Sequence, residues 1–176
     1  MCSSDLMISL ILDHARLSEG QVQLLKEPTN ITAMVKSVCE ELGENGNPVQ
    51  KGLPEEDCYF PTNAEALRVV IRNILSNAMK YSNHQLKPVE VSHQITSDEQ
   101  GTNQLTITIR DFGYGIAEEE VPKIFEPFYR IDKSRQKATG GVGLGLSLAK
   151  RLVDALDGTI ELMSRLDEGT KVTLKF

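Results

Sequence analysis

The sequence predicts an α+β fold, a two-layer sandwich in which a mixed, mostly antiparallel sheet carries helices on one face. Three observations support this class. Segments with helical periodicity are interspersed along the chain, strand-like segments are grouped mostly in its second half, and no internal repeat occurs. A chain of 176 residues is long enough for one domain with its own core.

The first half predicts elements separated by clear stop signals. Leu and Ile recur at helical spacing before Gly20, and Asn30 is a suitable cap for the helix that follows it. The expected elements are a helix over 4–19, a strand over 22–26, a helix from Asn30 to Gly43, a loop over 44–54 and a strand over 58–60.

The second half predicts the longest helix and most of the sheet. Pro61-Thr62-Asn63 opens that helix, and the strand over 105–110 alternates apolar and polar residues, as a half-buried strand does. The expected elements are a helix over 64–82, strands over 89–96 and 105–110, a glycine-rich segment over 111–145, a helix over 144–156 and strands over 159–163 and 170–176.

Composition narrows the classes of function. Lys and Arg number 19 against 25 Asp and Glu, so the net charge of −6 disfavours nucleic-acid and membrane binding but allows a local cationic pocket. No apolar run exceeds three residues, which predicts no membrane span and no signal peptide, with any anchor of a longer parent lying elsewhere. Cys2, Cys39 and Cys58 lack metal-binding spacing, which favours reduced thiols and a cytoplasmic location.

One flank of the longest predicted helix is polar. Asn73, Asn77, Lys80 and Tyr81 fall within an arc of about 100° when each residue advances roughly 100° around the helix. Asn offers an oxygen ligand of the kind that Mg²⁺ accepts beside phosphate oxygens, and Lys offers a point charge for phosphate. This flank indicates a phosphate site, and the alternative is a solvated helix surface.

An acidic residue and two glycines follow the alternating strand. Asp111 lies at the strand end, and Gly113 and Gly115 allow the backbone to approach a ligand closely. This pattern indicates the mouth of a pocket. The alternative is an ordinary Asp-x-Gly turn.

A second glycine-rich run, from Gly140 to Gly145, precedes the last predicted helix. Backbone N–H groups at a helix N-terminus bind phosphate readily. Leu146 stands where a Walker loop has Lys and where a Rossmann fingerprint has its last Gly, so both of those motifs are excluded. The alternative is a flexible hinge.

Between the two glycine segments lie Phe125 and Phe128, which suggest an anchor for a mobile lid. The residues that follow are locally basic within an acidic protein, which suits a polyphosphate ligand, although a solvated loop is an equal alternative. These cations are Arg130, Lys133, Arg135 and Lys137.

In this order and spacing, the four segments resemble the N, G1, F and G2 boxes of the ATP-binding catalytic domain of sensor histidine kinases, in the wider group that includes gyrase, Hsp90 and MutL. The boxes are 73–82, 111–115, 125–130 and 141–145. The resemblance covers about residues 20–176 and implies the two-layer sandwich called the Bergerat ATP-binding fold. Residues 1–20 resemble the end of the second dimerisation helix, so the expected domains are 1–20 and 21–176.

The resemblance also implies a role for each matching residue. Asn77 would bind Mg²⁺ at the phosphates of ATP, and Asp111 would accept a hydrogen bond from the adenine amino group, supported through water by Thr170. ATP is expected over GTP, because guanine would turn a carbonyl towards Asp111. The other implied ATP contacts are Lys80, Tyr81, Gly113, Gly115, Ile116, Phe125, Arg130, Gly141, Gly143, Leu144, Gly145 and Leu146.

Asn73 is the expected catalytic residue, and the residue type at this position distinguishes the kinases of the group from its hydrolases. Hydrolytic relatives have Glu here, whereas a carboxamide cannot accept a proton near neutral pH. Asn73 therefore favours phosphoryl transfer to a nucleophile delivered from outside. An ATPase of the wider group and a nucleotide-binding allosteric scaffold without kinase activity are the alternatives.

The nucleophile implied by the resemblance is a histidine of an upstream dimerisation domain. His14, His84 and His93 do not lie in the family's acceptor pattern. The chain is therefore expected to bind ATP and Mg²⁺ without phosphorylating itself, with a response regulator receiver domain as a further partner. It is expected to contact neither nucleic acid nor membrane and to be monomeric or weakly self-associating.

Overall fold

The structure is a computed structural model that describes residues 24–43, 49–82, 87–131 and 142–176. Within these residues the helices are α1 (Ile31–Gly43), α2 (Ala64–Tyr81) and α3 (Gly145–Ala155). The strands are β1 (Glu27–Asn30), β2 (Val49–Gly52), β3 (Tyr59–Thr62), β4 (Val89–Ser97), β5 (Asn103–Arg110), β6 (Thr159–Arg165) and β7 (Gly169–Lys175). The α+β class predicted from the sequence is confirmed.

The main sheet has five strands in the order β2-β4-β5-β7-β6. β2 runs parallel to β4, and the other neighbouring strands are antiparallel. The sheet is therefore mixed and mostly antiparallel, as predicted.

One face of this sheet forms the core with the helices. Val91, Ile109 and Val172 occupy one cross-strand row on that face, and α2 covers the face with side chains that are almost completely buried. Those side chains of α2 are Leu67, Val70, Ile71, Ile74 and Leu75. The opposite face carries polar rows such as Ser92, Thr108 and Thr173, so the molecule has two layers.

A second, two-stranded sheet was not predicted. β1 and β3 pair antiparallel, with Glu27 opposite Thr62, and the N–H of Ile31 donates to the carbonyl of Cys58 at 2.8 Å. Because β1 leads directly into α1 and β3 into α2 with one residue between, this pairing holds the N-terminal ends of the two helices side by side.

The predicted cap Asn30 is confirmed, and Asn63 of the segment predicted to open α2 caps that helix as well. Asn30 Oδ1 accepts from the N–H of Ala33 at 2.9 Å, and Asn63 Oδ1 accepts from the N–H of Ala66 at 2.9 Å. None of the helices in the described part of the chain combines the length and the apolar character needed to cross a membrane.

Two local predictions were wrong. The described residues of the strand predicted over 22–26 are not a strand, and β1 begins at Glu27 instead. β2 lies within the segment predicted to be a loop over 44–54. The strand was missed because it forms by parallel pairing with β4 and its sequence shows no local alternation. The predicted helix over 4–19 lies outside the described residues.

Candidate functional site

Three polar side chains form the last cross-strand row on the helix-facing side of the sheet. Asp111 follows β5, Thr170 lies in β7, and Ser164 pairs with Thr170 from β6. The N–H of Asp111 donates to the carbonyl of Thr170 at 2.8 Å, which extends the ladder by one residue. Because side chains alternate along a strand, this row lies on the same face as the apolar residues, at the edge of the core.

Asp111 is buried, with 6% of its surface exposed. Burial raises the pKa of its carboxyl group, and hydrogen bonds from the backbone N–H groups of Gly113 and Thr170 partly lower it again. Both N–H groups donate to Oδ1, at 2.9 and 3.3 Å. Oδ2 receives no hydrogen bond from the described residues, so it can accept one from a ligand.

The two glycines after Asp111 are required by close packing. A Cβ at Gly113 would lie 1.8 Å from the carbonyl oxygen of Tyr81, so this loop rests on the C-terminal end of α2. Gly115 has φ +66°, and a Cβ there would lie 1.8 Å from the carbonyl oxygen of Arg165. The segment predicted to approach a ligand is thus wedged between α2 and the β6–β7 turn.

The residues of the predicted polar flank lie on α2. Asn77 and Lys80 are half-buried, and the Lys80 ammonium group lies 5.0 Å from the centre of the Tyr81 ring. Asn73 donates from Nδ2 to the carbonyl of Val69 at 2.9 Å. The carboxamide of Asn77 has no hydrogen bond to any described residue, which leaves its oxygen available as a ligand.

The start of α3 lies against this flank. A Cβ at Gly145 would lie 2.8 Å from Asn73 Oδ1, so the first turn of α3 abuts the Asn73 carboxamide. Leu144 is the N-cap residue and makes no side-chain capping hydrogen bond, while its own side chain is buried. The side chain at the N-cap therefore accepts from none of the first-turn N–H groups, among them that of half-buried Leu146.

The predicted F segment touches the second glycine run. The N–H of Phe128 donates to the carbonyl of Gly143 at 3.0 Å, and Gly143 has φ +81°. Phe125 and Arg130 are half-buried, whereas Phe128 is 64% exposed with φ +66°. Gly141, Lys133, Arg135 and Lys137 lie outside the described residues.

His93 lies away from this row, in β4. It is buried, and its Nε2 lies 3.1 Å from the hydroxyl oxygen of Thr32 in α1. Burial lowers the pKa of His93, and the nearby charge of Lys36 lowers it further. This geometry describes a core histidine, while His14 and His84 lie outside the described residues.

Sequence reasoning missed two residues of the site. Ser164 Oγ contacts Ile116 N, Gly169 O and Thr170 Oγ1. Gly169 has φ +93°, and a Cβ there would lie 2.2 Å from the carbonyl oxygen of Asp111. A signal for Ser164 exists, because it follows Ile160 and Leu162 at alternate positions and so places a hydroxyl on an otherwise apolar face.

The described contacts join four of the predicted segments into one site. Asn73 meets Gly145, Tyr81 meets Gly113, Asp111 meets Thr170, and the F segment meets Gly143. A buried carboxylate lies at one end of this assembly and an uncapped helix N-terminus at the other. Such a site can accept a hydrogen bond at one end and bind an anion at the other.

Comparison with protein families gives a match over most of the chain. Residues 62–176 match the family described as histidine kinase-, DNA gyrase B-, and HSP90-like ATPase. The matched range includes α2, the Asp111 segment, α3 and the β6–β7 pair.

Curated relatives are sensor kinases. The chain is 38% identical to sensor histidine kinase WalK of Bacillus subtilis over 123 residues, which cover 70% of this chain and 20% of that protein. It is 32% identical to sensor protein kinase WalK of Staphylococcus haemolyticus over 171 residues, which cover 94% of this chain and 28% of that protein. The chain thus spans less than a third of the length of these relatives.

Solved structures share the fold. Full-length ShkA, solved in complex with AMPPNP, superposes with a TM-score of 0.77 at 24% identity, over 98% of this chain and 36% of that chain. The Acinetobacter baumannii histidine kinase AdeS gives a TM-score of 0.74 at 21% identity, over 96% of this chain and 75% of that chain.

Proposed function

This chain belongs to the family of histidine kinase-, DNA gyrase B- and HSP90-like ATPases, as a histidine kinase ATP-binding domain, and we propose that it transfers the γ-phosphoryl group of ATP to a histidine of a dimerisation domain. The observation that most supports this is the placement of a buried carboxylate and an uncapped helix N-terminus on either side of the Asn-bearing flank of α2.

Asp111 is proposed to recognise adenine. Oδ2 would accept a hydrogen bond from the exocyclic amino group, while the N–H groups of Gly113 and Thr170 hold Oδ1 in place. A 6-carbonyl in place of the amino group would leave two acceptors facing each other in a buried setting, which is strongly unfavourable. Tyr81, Ile116 and the backbone at Gly113 and Gly115 would line the base and ribose.

The phosphates are proposed to lie at the N-terminus of α3. The N-cap residue Leu144 supplies no side-chain acceptor for the N–H groups of the first turn, and these groups with the partial positive charge of the helix end suit an anion. Gly143, Gly145 and Leu146 place these N–H groups, and Gly141 would extend them. Lys80, Arg130, Phe125 and Leu144 complete the proposed set of ATP contacts.

The residues present fit a magnesium ion shared with the nucleotide. Asn77 offers a half-buried carboxamide oxygen that no described residue engages, and Mg²⁺ is commonly held by one or two protein oxygens together with phosphates and water. Bound there, the ion would supply neutralisation of phosphate charge.

Asn73 supports transfer over hydrolysis. Its Nδ2 is tied to the carbonyl of Val69, and its Oδ1 faces the first turn of α3. A carboxamide can orient neighbouring groups but cannot act as a general base. The domain would therefore act by positioning ATP and neutralising charge until a nucleophile is delivered.

The proposed partners follow from this chemistry. The nucleophile would be a histidine of the protein's own dimerisation domain, of which residues 1–20 are proposed to be the end, and the phosphoryl group would pass to a response regulator receiver domain. Because ATP is the proposed donor, we place this reaction in the cytoplasm.

The decisive experiment measures where phosphate goes. The chain is incubated with Mg²⁺ and ATP labelled at the γ-phosphate, with and without the phosphoacceptor domain of a related kinase such as WalK. Acid-labile label on the added domain, its loss in Asn77→Ala, and no label on the chain itself are expected. Steady release of free phosphate without an acceptor would contradict the proposal.

A further inference from the structure

Ser164 makes three polar contacts with a single hydroxyl group. Its Oγ lies 2.8 Å from the backbone nitrogen of Ile116, 3.0 Å from the carbonyl oxygen of Gly169, and 2.8 Å from the hydroxyl oxygen of Thr170. An N–H can only donate and a carbonyl can only accept, so chemistry fixes the direction of the first two hydrogen bonds.

The direction of the third bond follows from counting hydrogens. The one hydrogen of Ser164 goes to the carbonyl of Gly169, and one of its two lone pairs accepts from the N–H of Ile116. The remaining lone pair faces Thr170, so the hydroxyl of Thr170 donates to Ser164. The opposite direction would take the hydroxyl hydrogen away from the Gly169 carbonyl.

Thr170 is thereby left with lone pairs only. Its half-buried hydroxyl lies next to Asp111 in the polar row, and its N–H donates to Asp111 Oδ1. An ionised Asp111 also offers lone pairs alone. A water molecule held between the two would have to donate one hydrogen to each, so it too would turn a lone pair towards a ligand.

We propose that Ser164 is a positioning residue for purine selectivity, because by taking the hydroxyl hydrogen of Thr170 it makes this end of the site accept hydrogen bonds only. Such a site favours a purine with an amino group at C6 over one with a carbonyl there. This inference rests on the proposed ATP-binding function, and it concerns a residue that acts through Thr170.

The experiment compares dissociation constants of ATP and inosine triphosphate, which has a carbonyl at C6, by calorimetry with Mg²⁺. In Ser164→Ala the Thr170 hydroxyl is free to rotate and donate, so the preference for ATP should fall about five-fold, the worth of one ordinary hydrogen bond. In Thr170→Val the preference should fall as well. Adding Ser164→Ala to Thr170→Val should then change nothing further.

A merely structural role would give a different pattern. Loss of packing alone would weaken the binding of both nucleotides equally. An unchanged preference for ATP in Ser164→Ala would overturn the inference. It would also be overturned if Ser164→Ala lowered the preference equally in the Thr170→Val background. Ser97→Ala is the matched control, since Ser97 bonds to Asn103 at the exposed β4–β5 turn, and it should keep the wild-type preference.

A variant that does not fold and a wild type that does not bind ATP have different consequences. Should Ser164→Ala fail to fold, Ser164→Cys takes its place, because a thiol is a weak acceptor of similar size and should lower the preference by a smaller factor. An unchanged preference in that variant would overturn the inference. A wild-type chain that binds no ATP would instead overturn the proposed function, and this inference with it.

Discussion

Asp111 shows how one side chain can oppose stability and serve binding. Burial raises the pKa of its carboxyl group, and two backbone N–H groups only partly offset that effect. Ionised Asp111 therefore destabilises the folded state relative to a neutral group of the same shape. The same burial makes an unmatched ligand group costly, which is what a selective site requires.

Asp111→Asn should therefore separate binding from stability. The Asn oxygen can still accept from Gly113 and Thr170, so the thermal midpoint should be unchanged or higher. ATP should bind about 10- to 100-fold more weakly, because an NH₂ group would face the adenine amino group. Calorimetry and thermal melts measure the two effects, and Asp98→Asn, at an exposed turn aspartate with similar backbone bonds, should change ATP affinity little.

The pH dependence of stability should differ in sign between these two aspartates. Because the folded-state pKa of Asp111 is raised, its destabilising effect is present above that pKa and disappears as the pH falls towards the ordinary value of about 3.9. The wild type should thus gain stability relative to Asp111→Asn as the pH falls from 7 to 3.

Asp98 provides the opposite case. A backbone hydrogen bond from Thr102 is the main cause that lowers the pKa of Asp98, so its contribution is present at neutral pH and lost on acidification. The wild type should lose stability relative to Asp98→Asn over the same range. Urea unfolding at several pH values measures both differences, and parallel curves for the two variants would contradict the assignment.

Single residues were predictable where their type carried the signal. Asp111, Asn73 and Asn77 stand out because a carboxylate at a strand end and amides on one helix flank are chemically conspicuous. Ser164 was missed because a lone Ser in a strand is common. Its importance comes from three partners, of which Ile116 lies 48 positions away.

At the scale of elements, two glycines fix how the helices meet the rest of the site. A Cβ at Gly113 would collide with the backbone at Tyr81 and Ser82, whereas a Cβ at Gly145 would meet only the end of the Asn73 side chain. Backbone cannot move aside without shifting α2, while a carboxamide can rotate. The two positions should therefore respond differently to the same substitution.

Gly113→Ala should unfold or strongly destabilise the domain, by about 3 kcal/mol or more, because overpacking against backbone has no local relief. Gly145→Ala should change stability by about 1 kcal/mol or less, since Ala favours a helix. It should nevertheless weaken ATP binding about ten-fold by displacing Asn73 at the first turn of α3. Urea unfolding and calorimetry distinguish the two, and comparable loss of stability in both variants would count against this account.

Helices and strands were predicted well where their apolar residues recur at regular spacing. α1, α2 and α3 were expected within one or two residues, because their apolar residues recur at helical spacing and Asn30 and Asn63 mark two starts. β2 was not expected, because Val49–Gly52 is short and becomes a strand only by pairing with β4, which lies 40 positions later in the register. The β1–β3 pair was missed for the same reason, since non-local pairing leaves little local pattern.

At the scale of the molecule, the site lies where separate segments converge. α2, the loop after β5, the start of α3 and the β6–β7 pair each supply part of it, and their contacts are a few hydrogen bonds and glycine approaches. A ligand bound across them would add contacts that exist only in the folded state. Binding should therefore appear as stability of the whole domain.

ATP with Mg²⁺ should raise the thermal midpoint of the full chain. At a nucleotide concentration 100 times the dissociation constant, the expected stabilisation is about 2.7 kcal/mol, which for a domain of this size corresponds to about 5–10 °C. Asp111→Asn and Asn77→Ala should lose most of the shift at the same concentration, whereas Asp98→Asn should keep it. Asp111→Asn and Asp98→Asn are a matched pair, because each replaces a carboxylate by a carboxamide. A shift that persists in Asp111→Asn and Asn77→Ala would show that nucleotide binds elsewhere, away from the polar row and the flank of α2.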